Sequence, residues 1–225
     1  MNRKIFFDLD GTLIDTSERQ YRVYNDILGL LRLSNKLSKE EFWNLKRAGK
    51  KTLTLLPDNA VKSHGAEFSK KWLEKVEEKE YLHYDKLYPK SVDVLSALEC
   101  KFDLLLVTLR RNKKNLLWEL DNLCLTKYFK LVINGSPLLC NDKVSLIQSD
   151  TKSHAEEENG IIVGDSEMDV ITGKKLGMLS IGITYGIRSR SFLRRLRPSF
   201  LIDSLPEILN ILDDAGPFSS AFKPV

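Results

Sequence analysis

Two carboxylates, Asp8 and Asp10, stand at the end of the apolar run Ile5-Phe6-Phe7, and Gly11 follows at once. In an extended chain, residues two apart project to the same side, so both carboxylates leave the strand end together. Crowded carboxylates repel, and if ionised they need a cation. A hard divalent ion with oxygen ligands, with magnesium (Mg2+) the leading choice, meets that need and also attracts a phosphate. One carboxylate can then attack phosphorus while the other moves protons. Gly11, with access to backbone angles closed to other residues, lets the chain turn sharply past a bound anion. The alternative is an Asx turn in which Asp10 only bonds nearby amides.

A second acidic group lies in Gly160-Ile-Ile-Val-Gly-Asp-Ser-Glu-Met-Asp169. Asp165 follows its apolar run as Asp8 does, so parallel strands would set both at one sheet edge, with Asp169 four residues on; such converging oxygens suit a hard cation. Lys143 opens a segment with helical spacing, Val144, Leu146 and Ile147. A cation at a helix amino terminus opposes the macrodipole, which calls for an anionic partner. An exposed surface lysine is the alternative, and Lys152 competes for any site role.

The elements that must position these groups follow from periodicity. Ile5–Phe7, Phe102–Thr108, Leu131–Ile133, the run before Asp165, Met178–Ile183 and Ser199–Ile202 are short apolar runs, the pattern of strands buried on both faces. Helical spacing separates them: Pro89 in the favoured first position with Val92, Val94, Leu95 and Leu98; 113–129 with Leu116, Leu117, Leu120, Leu123 and Cys124 inward; and 205–212. Alternating strands and helices predict an α/β fold, an open, mostly parallel sheet with ligands at the strands' carboxyl ends. Between Asp15 and Lys86 only helical patterns occur: Thr16 and Ser17 as caps before Tyr21, Tyr24, Ile27, Leu28 and Leu31, a capping box at Ser38 and Glu41, and a long charged helix with Phe68, Trp72 and Val76.

Composition bounds the rest. The chain has 225 residues, 42% hydrophobic and 29% charged, and carries 35 basic against 31 acidic residues. That balance gives no sign of disorder or of a nucleic-acid partner. Cys100, Cys124 and Cys140 lack metal-ligand spacing and read as reduced, partly buried thiols. Asp8 and Asp10 interrupt the first apolar stretch, which excludes a signal-peptide core, and no run reaches membrane-spanning length. The expectation is a cytoplasmic protein with no membrane partner. The basic stretch from Arg188 to Arg197 reads as a short amphipathic surface helix, with an anion patch as the alternative. The tail from Ala215 to Val225 reads as loosely attached.

Phe6-Phe-Asp-Leu-Asp-Gly-Thr-Leu-Ile-Asp15 resembles the first motif of the haloacid dehalogenase (HAD) superfamily, in its phosphoglycolate phosphatase-like branch with a helical cap. The resemblance implies Asp8 as nucleophile, Asp10 as general acid and base, and magnesium held by the Asp8 side chain and the Asp10 backbone carbonyl. Thr108 matches the second motif and would bond the phosphoryl group together with Gly11, the Leu109 amide and Lys143. The family often has Asn after that Thr, where this chain has Leu109, so side-chain contacts there depart from the pattern. Lys143 matches the third motif; Asp165 and Asp169 match the fourth, the first binding the metal and the second binding it or orienting what surrounds it.

The implied architecture is a Rossmann-like core, residues 1–14 and 87–225, with an all-helical cap at 15–86. In the family, a cap turn reaches over the site to select substrates. Here that turn would be Lys46-Arg-Ala-Gly-Lys-Lys51, with Arg47, Lys50 or Lys51 meeting the substrate's non-reacting end; the alternative is a solvated basic helix end. The implied activity is magnesium-dependent hydrolysis of a small phosphorylated metabolite through an aspartyl-phosphate on Asp8, by a monomer or homodimer. A phosphomutase uses the same core. Asp10 argues against a dehalogenase, the lack of a Schiff-base lysine pattern argues against a phosphonatase, and a non-catalytic module is the remaining rival.

Overall fold

The computed structural model describes residues 3–57, 60–135, 142–150 and 160–214. Cys140, Lys152 and the tail 215–225 lie outside the described residues.

Six parallel strands form the sheet: β1 (Lys4–Phe7), β4 (Asp103–Thr108), β5 (Leu131–Asn134), β6 (Ile161–Gly164), β7 (Leu179–Ile183) and β8 (Phe200–Ile202), in the order β5-β4-β1-β6-β7-β8. The chain steps from β1 to β4 and β5 on one side, then returns to lay β6 on the other. The crevice where the winding reverses therefore opens at the carboxyl ends of β1, β4 and β6. Register makes these ends level: Phe7 faces Leu106 on one side and Val163 on the other.

Alternation along β1 explains why its run is wholly apolar. Ile5 and Phe7 point into one core layer with Leu106, Val163, Leu116 and Leu120, whereas Phe6 points into the opposite layer with Leu105, Val107, Ile147 and Ile162. The first layer lies under α5 (Ser91–Glu99), α6 (Lys113–Asn122) and α10 (Glu207–Asp214), the second under α7 (Lys143–Asp150) and α8 (Glu167–Lys175).

Between β2 (Ile14–Asp15) and β3 (Lys86–Leu87) run α1 (Ser17–Leu30), α2 (Lys39–Arg47), a 3-10 turn at Thr52–Leu55, α3 (Ala60–Lys75) and α4 (Lys79–Leu82). They bury a separate cluster that includes Val23, Tyr24, Ile27, Phe42, Phe68 and Tyr81. The interval from 15 to 86 is not helical throughout, because Asp15 and Lys86 pair as an antiparallel ribbon at its base. The Ser38–Glu41 capping box forms as expected.

Elsewhere the structure moves boundaries. The helix predicted from Pro89 starts at Ser91, since Tyr88 continues the ribbon by donating to the Leu13 carbonyl and Lys90 takes a left-handed φ of 68°. The predicted helix over 113–129 stops at Asn122: Leu125 N bonds Leu120 O and Cys124 N bonds Asp121 O around a left-handed Cys124, a Schellman closure. That position leaves Cys124 exposed, as is Cys100, so neither thiol is partly buried as expected. At α1, the Asp15 carboxylate accepts from Ser17 N, while Thr16 bonds Gln20 instead of capping. In the basic stretch, α9 (Arg190–Arg195) is a short surface helix anchored by Leu193, but Arg188 is buried.

Candidate active site

Asp8 and Thr108 emerge at the ends of β1 and β4, Asp165 after β6, and Lys143 at the start of α7. All four line one cavity of about 300 Å³. Asp8 Oδ1 accepts from the Leu9 amide at 2.8 Å and pairs with Lys143 Nζ at 2.7 Å. The same ammonium donates to Asp169 Oδ1 at 2.7 Å, while Asp169 Oδ2 accepts from the amide and hydroxyl of Ser166. Burial alone would lower the Lys143 pKa, but Asp169 and Asp8 hold it above the usual lysine value. Asp8 and Asp169 are thus the anionic partners that its helix position calls for.

Asp165 sits between two glycines. A Cβ at Gly11 (φ 78°) would come within 1.8 Å of Asp165 Oδ2, and one at Gly186 within 2.2 Å. These positions admit no side chain. Ile187 N donates to Oδ2, and Asp165 Oδ1 is buried without a hydrogen-bond partner.

Oxygens of Asp8, Asp165 and Asp169 lie within 4.8 Å of one another. Burial first, and then Asp169 among its charged neighbours, pushes Asp8 up to about 7; burial and repulsion from Asp8 and Asp169 push Asp165 well above the carboxylate range. An orphaned buried oxygen among crowded carboxylates fits a hard divalent cation. Asp8 and Asp165 have capacity for it. Asp169 spends both oxygens on Lys143 and Ser166, which suits the orienting role.

Asp10 faces a different environment. Arg110 clasps it from both sides, Nε to Oδ2 and Nη2 to Oδ1 at 2.6 Å each, and Arg19 Nη2 adds a bond of 2.7 Å to Oδ1. Burial would raise the Asp10 pKa, but Arg110 and Arg19 together hold it below the ordinary carboxylate range. The two guanidiniums also meet Asp85 and Glu119: Arg19 to Asp85 at 3.2 Å, and Arg110 to Glu119 at 3.1 Å. Burial above all, with Glu119 and Asp10 adding repulsion against the opposing pull of Arg19, pushes Asp85 up to about 9. Three carboxylates, Asp10, Asp85 and Glu119, thus gather around the two guanidiniums of Arg19 and Arg110.

The basic turn divides differently from the expectation. Arg47 does not line the cavity; its guanidinium bonds backbone carbonyls of Thr184, Tyr185 and Gly186. Lys50 borders a separate recess with Tyr24, Leu37 and Leu55, and Lys51 is exposed beside it. The lysine that enters the cavity is Lys46, which is buried, donates to Thr52 Oγ1 at 2.6 Å, and is lowered to about 8 by burial and then Arg188. Successive helical residues project about 100° apart, so Lys46 and Arg47 cannot share a direction.

Arg19, Lys46, Arg110, Asp85 and Glu119 were absent from the sequence-based site. For some of them a signal exists: Arg19 falls on the buried stripe of Val23 and Ile27, Lys46 lies four residues after Phe42, and Glu119 lies three after Leu116. A charge at a core-facing helical position is rare without a partner. The cavity wall also includes Glu77, whose carboxylate accepts from the amides of Arg111 and Asn112, so the helical segment contacts the loop after Thr108.

The fold and the site together define the class. The sequence profile of the haloacid dehalogenase-like hydrolases matches residues 5–183, and the chain belongs to that family. Among its relatives are a phosphoglycolate phosphatase of Neisseria meningitidis, 34% identical over 40% of this chain and 40% of that protein, and the pyrophosphatase PpaX of Halalkalibacterium halodurans, 26% identical over 92% and 95%. The chain thus spans under half of the Neisseria relative in the matched region but nearly all of PpaX. The structure of a haloacid dehalogenase-like hydrolase from Streptococcus pneumoniae superposes with a TM-score of 0.73 at 21% identity, covering 94% of this chain and 98% of that one, and thereby supports the fold.

Proposed function

We propose that the protein is a magnesium-dependent phosphatase that hydrolyses a small phosphorylated metabolite through an aspartyl-phosphate on Asp8. The observation that carries this reading is the meeting of Asp8, Thr108, Lys143 and Asp165 at the reversal point of the sheet, in a cavity rich in cations. Magnesium, held by Asp8, Asp165 and the Asp10 carbonyl, would supply positive charge to the phosphoryl oxygens. Lys143 fixes the Asp8 carboxylate and adds a second positive charge, and the Thr108 hydroxyl and Leu109 amide would donate to the same oxygens. Asp8 attacks phosphorus as the bond to the leaving oxygen breaks, and Asp10 gives that oxygen a proton; water then attacks the phosphorus of the acyl phosphate, Asp10 taking a proton back as the Asp8 carboxylate leaves. Residues 15–86 serve as the cap, and Lys46 replaces Arg47, Lys50 and Lys51 as the cap residue that meets the substrate. Exposed thiols at Cys100 and Cys124 suit a reducing cytoplasm.

The test is a screen of phosphorylated metabolites, a pyrophosphate and an aryl phosphate, run with and without a chelator. Turnover should vanish with the chelator and return with magnesium. Full activity after exhaustive chelation would remove the magnesium reading, and transfer of phosphate to a second sugar hydroxyl instead of water would make the protein a mutase.

A second expectation concerns Asp10. Asp10→Asn keeps the backbone carbonyl but loses proton transfer, a contribution of roughly a hundred- to ten-thousand-fold. An aryl leaving group needs little protonation, so the variant should lose more rate with an alkyl phosphate than with an aryl phosphate, and its phosphoenzyme should hydrolyse slowly. Equal losses on both substrates, with no phosphoenzyme build-up, would exclude the acid-base role.

A further inference from the structure

We propose that Arg47 is a positioning residue through which the docked helical segment sets the orientation of Asp165. The proposal rests on the reading of Asp165 as a metal ligand. Arg47 closes α2, and its guanidinium reaches across to the core, with Nη1 bonding the Tyr185 and Gly186 carbonyls at 2.7 and 2.5 Å and Nη2 bonding the Thr184 carbonyl at 2.7 Å. The core returns the contact. Arg188 Nη1 donates to the Lys46 carbonyl at 2.7 Å, and Ser189 N donates to the Arg47 carbonyl at 3.0 Å. The Arg47 carbonyl, left open at the end of α2, is thereby filled by a core donor, and the Lys46 carbonyl, which already accepts from Gly49 N, gains a second one. Gly49 (φ 96°) packs so closely on Phe192 that a Cβ there would lie 2.4 Å from the ring.

The segment gripped by Arg47 is the one that holds Asp165. Ile187 N bonds Asp165 Oδ2, the Gly186 backbone packs on the same carboxylate, and Arg188 pairs with Glu167 at 2.7 Å, two residues beyond Asp165. A chain of direct contacts therefore runs from the helical segment to a carboxylate of the acidic cluster: Arg47 to the 184–186 carbonyls, then Gly186 and Ile187 to Asp165. Groups that orient a metal ligand from behind govern metal affinity, typically by 10- to 100-fold. Removing Arg47 frees three carbonyls and loosens the wall against which Asp165 rests. Among the described residues, Asp8, Lys143 and Thr108 make no hydrogen bond to 184–187, and Asp8 and Lys143 hold each other directly, so their geometry remains.

The experiment is a magnesium chloride titration of the full chain without substrate, followed by the rise in melting temperature that binding to the folded state produces. Arg47→Ala should need on the order of 10-fold more magnesium for its half-maximal rise than the wild type, whereas Lys50→Ala, one turn away and exposed, should match the wild type. Arg47→Ala matching the wild type within about twofold overturns the proposal. If Arg47→Ala does not fold, Arg47→Met, which keeps most of the stem's length and packing without any donor, is read by the same criterion. Asp165→Asn separates the two levels. Loss of its magnesium response alongside an unchanged Arg47 variant defeats the positioning role alone, and a wild-type response in Asp165→Asn defeats the metal reading beneath it.

Discussion

Asp8→Asn is expected to reduce hydrolysis of an aryl phosphate by on the order of 10⁴-fold or more, because an amide cannot form the phosphoenzyme. The fold should survive. The Asn carbonyl can still accept from Leu9 N, and the substitution removes one negative charge from a cluster in which burial and Asp169 already push Asp8 up to about 7. The measurement is rapid quenching with phosphate-labelled substrate, followed by mass spectrometry of the peptide from Phe6 to Leu13. Wild-type protein should carry label on Asp8 and the variant none. Label elsewhere in the wild type, or stoichiometric label in Asp8→Asn, would overturn the assignment.

Arg110→Met should have the largest effect on stability, a loss of about 3–5 kcal/mol, the scale found when one partner of a buried ion pair is removed. Arg110 is 4% exposed in its side chain and bridges Asp10, Glu119 and Asp85, so methionine fills most of the volume but leaves Arg19 to face the carboxylates alone. Adding Glu119→Gln to Arg110→Met should recover part of the loss, since the second change deletes one of the stranded charges. Urea unfolding of the single and double variants decides it. A loss below about 1 kcal/mol for Arg110→Met would mean that water or rearrangement compensates the cluster.

Much of the candidate site was legible in the chain because it is local. A strand's two-residue period places Asp8 and Asp10 on one side, and the apolar runs before Thr108 and Asp165 mark them as strand ends at the same sheet edge. The α/β architecture followed from the same periodicity, and the capping box at Ser38 and Glu41 from three-residue spacing. Boundaries were less legible where a long-range bond overrode a local preference: Pro89 favours a helix start, but the bond from Tyr88 N to Leu13 O and a turn through left-handed Lys90 delay the helix to Ser91.

The sequence by itself determined the fold class and which carboxylates, hydroxyl and lysine that fold gathers at one sheet edge. The tertiary structure decided which cations reach the cavity. Within Lys46-Arg-Ala-Gly-Lys-Lys51 no local rule ranks the four cations, because each is equally charged and equally long-reaching in an isolated helix end. Docking of α2 on the core makes the choice: Lys46 turns into the cavity, Arg47 grips the Thr184–Gly186 carbonyls, and Lys50 and Lys51 stay in solvent. The Arg19, Arg110, Asp85 and Glu119 cluster is likewise drawn from segments up to 100 residues apart. Its members find one another only when burial makes every unpaired charge too costly to leave alone, a condition set by packing that spacing along the chain does not encode.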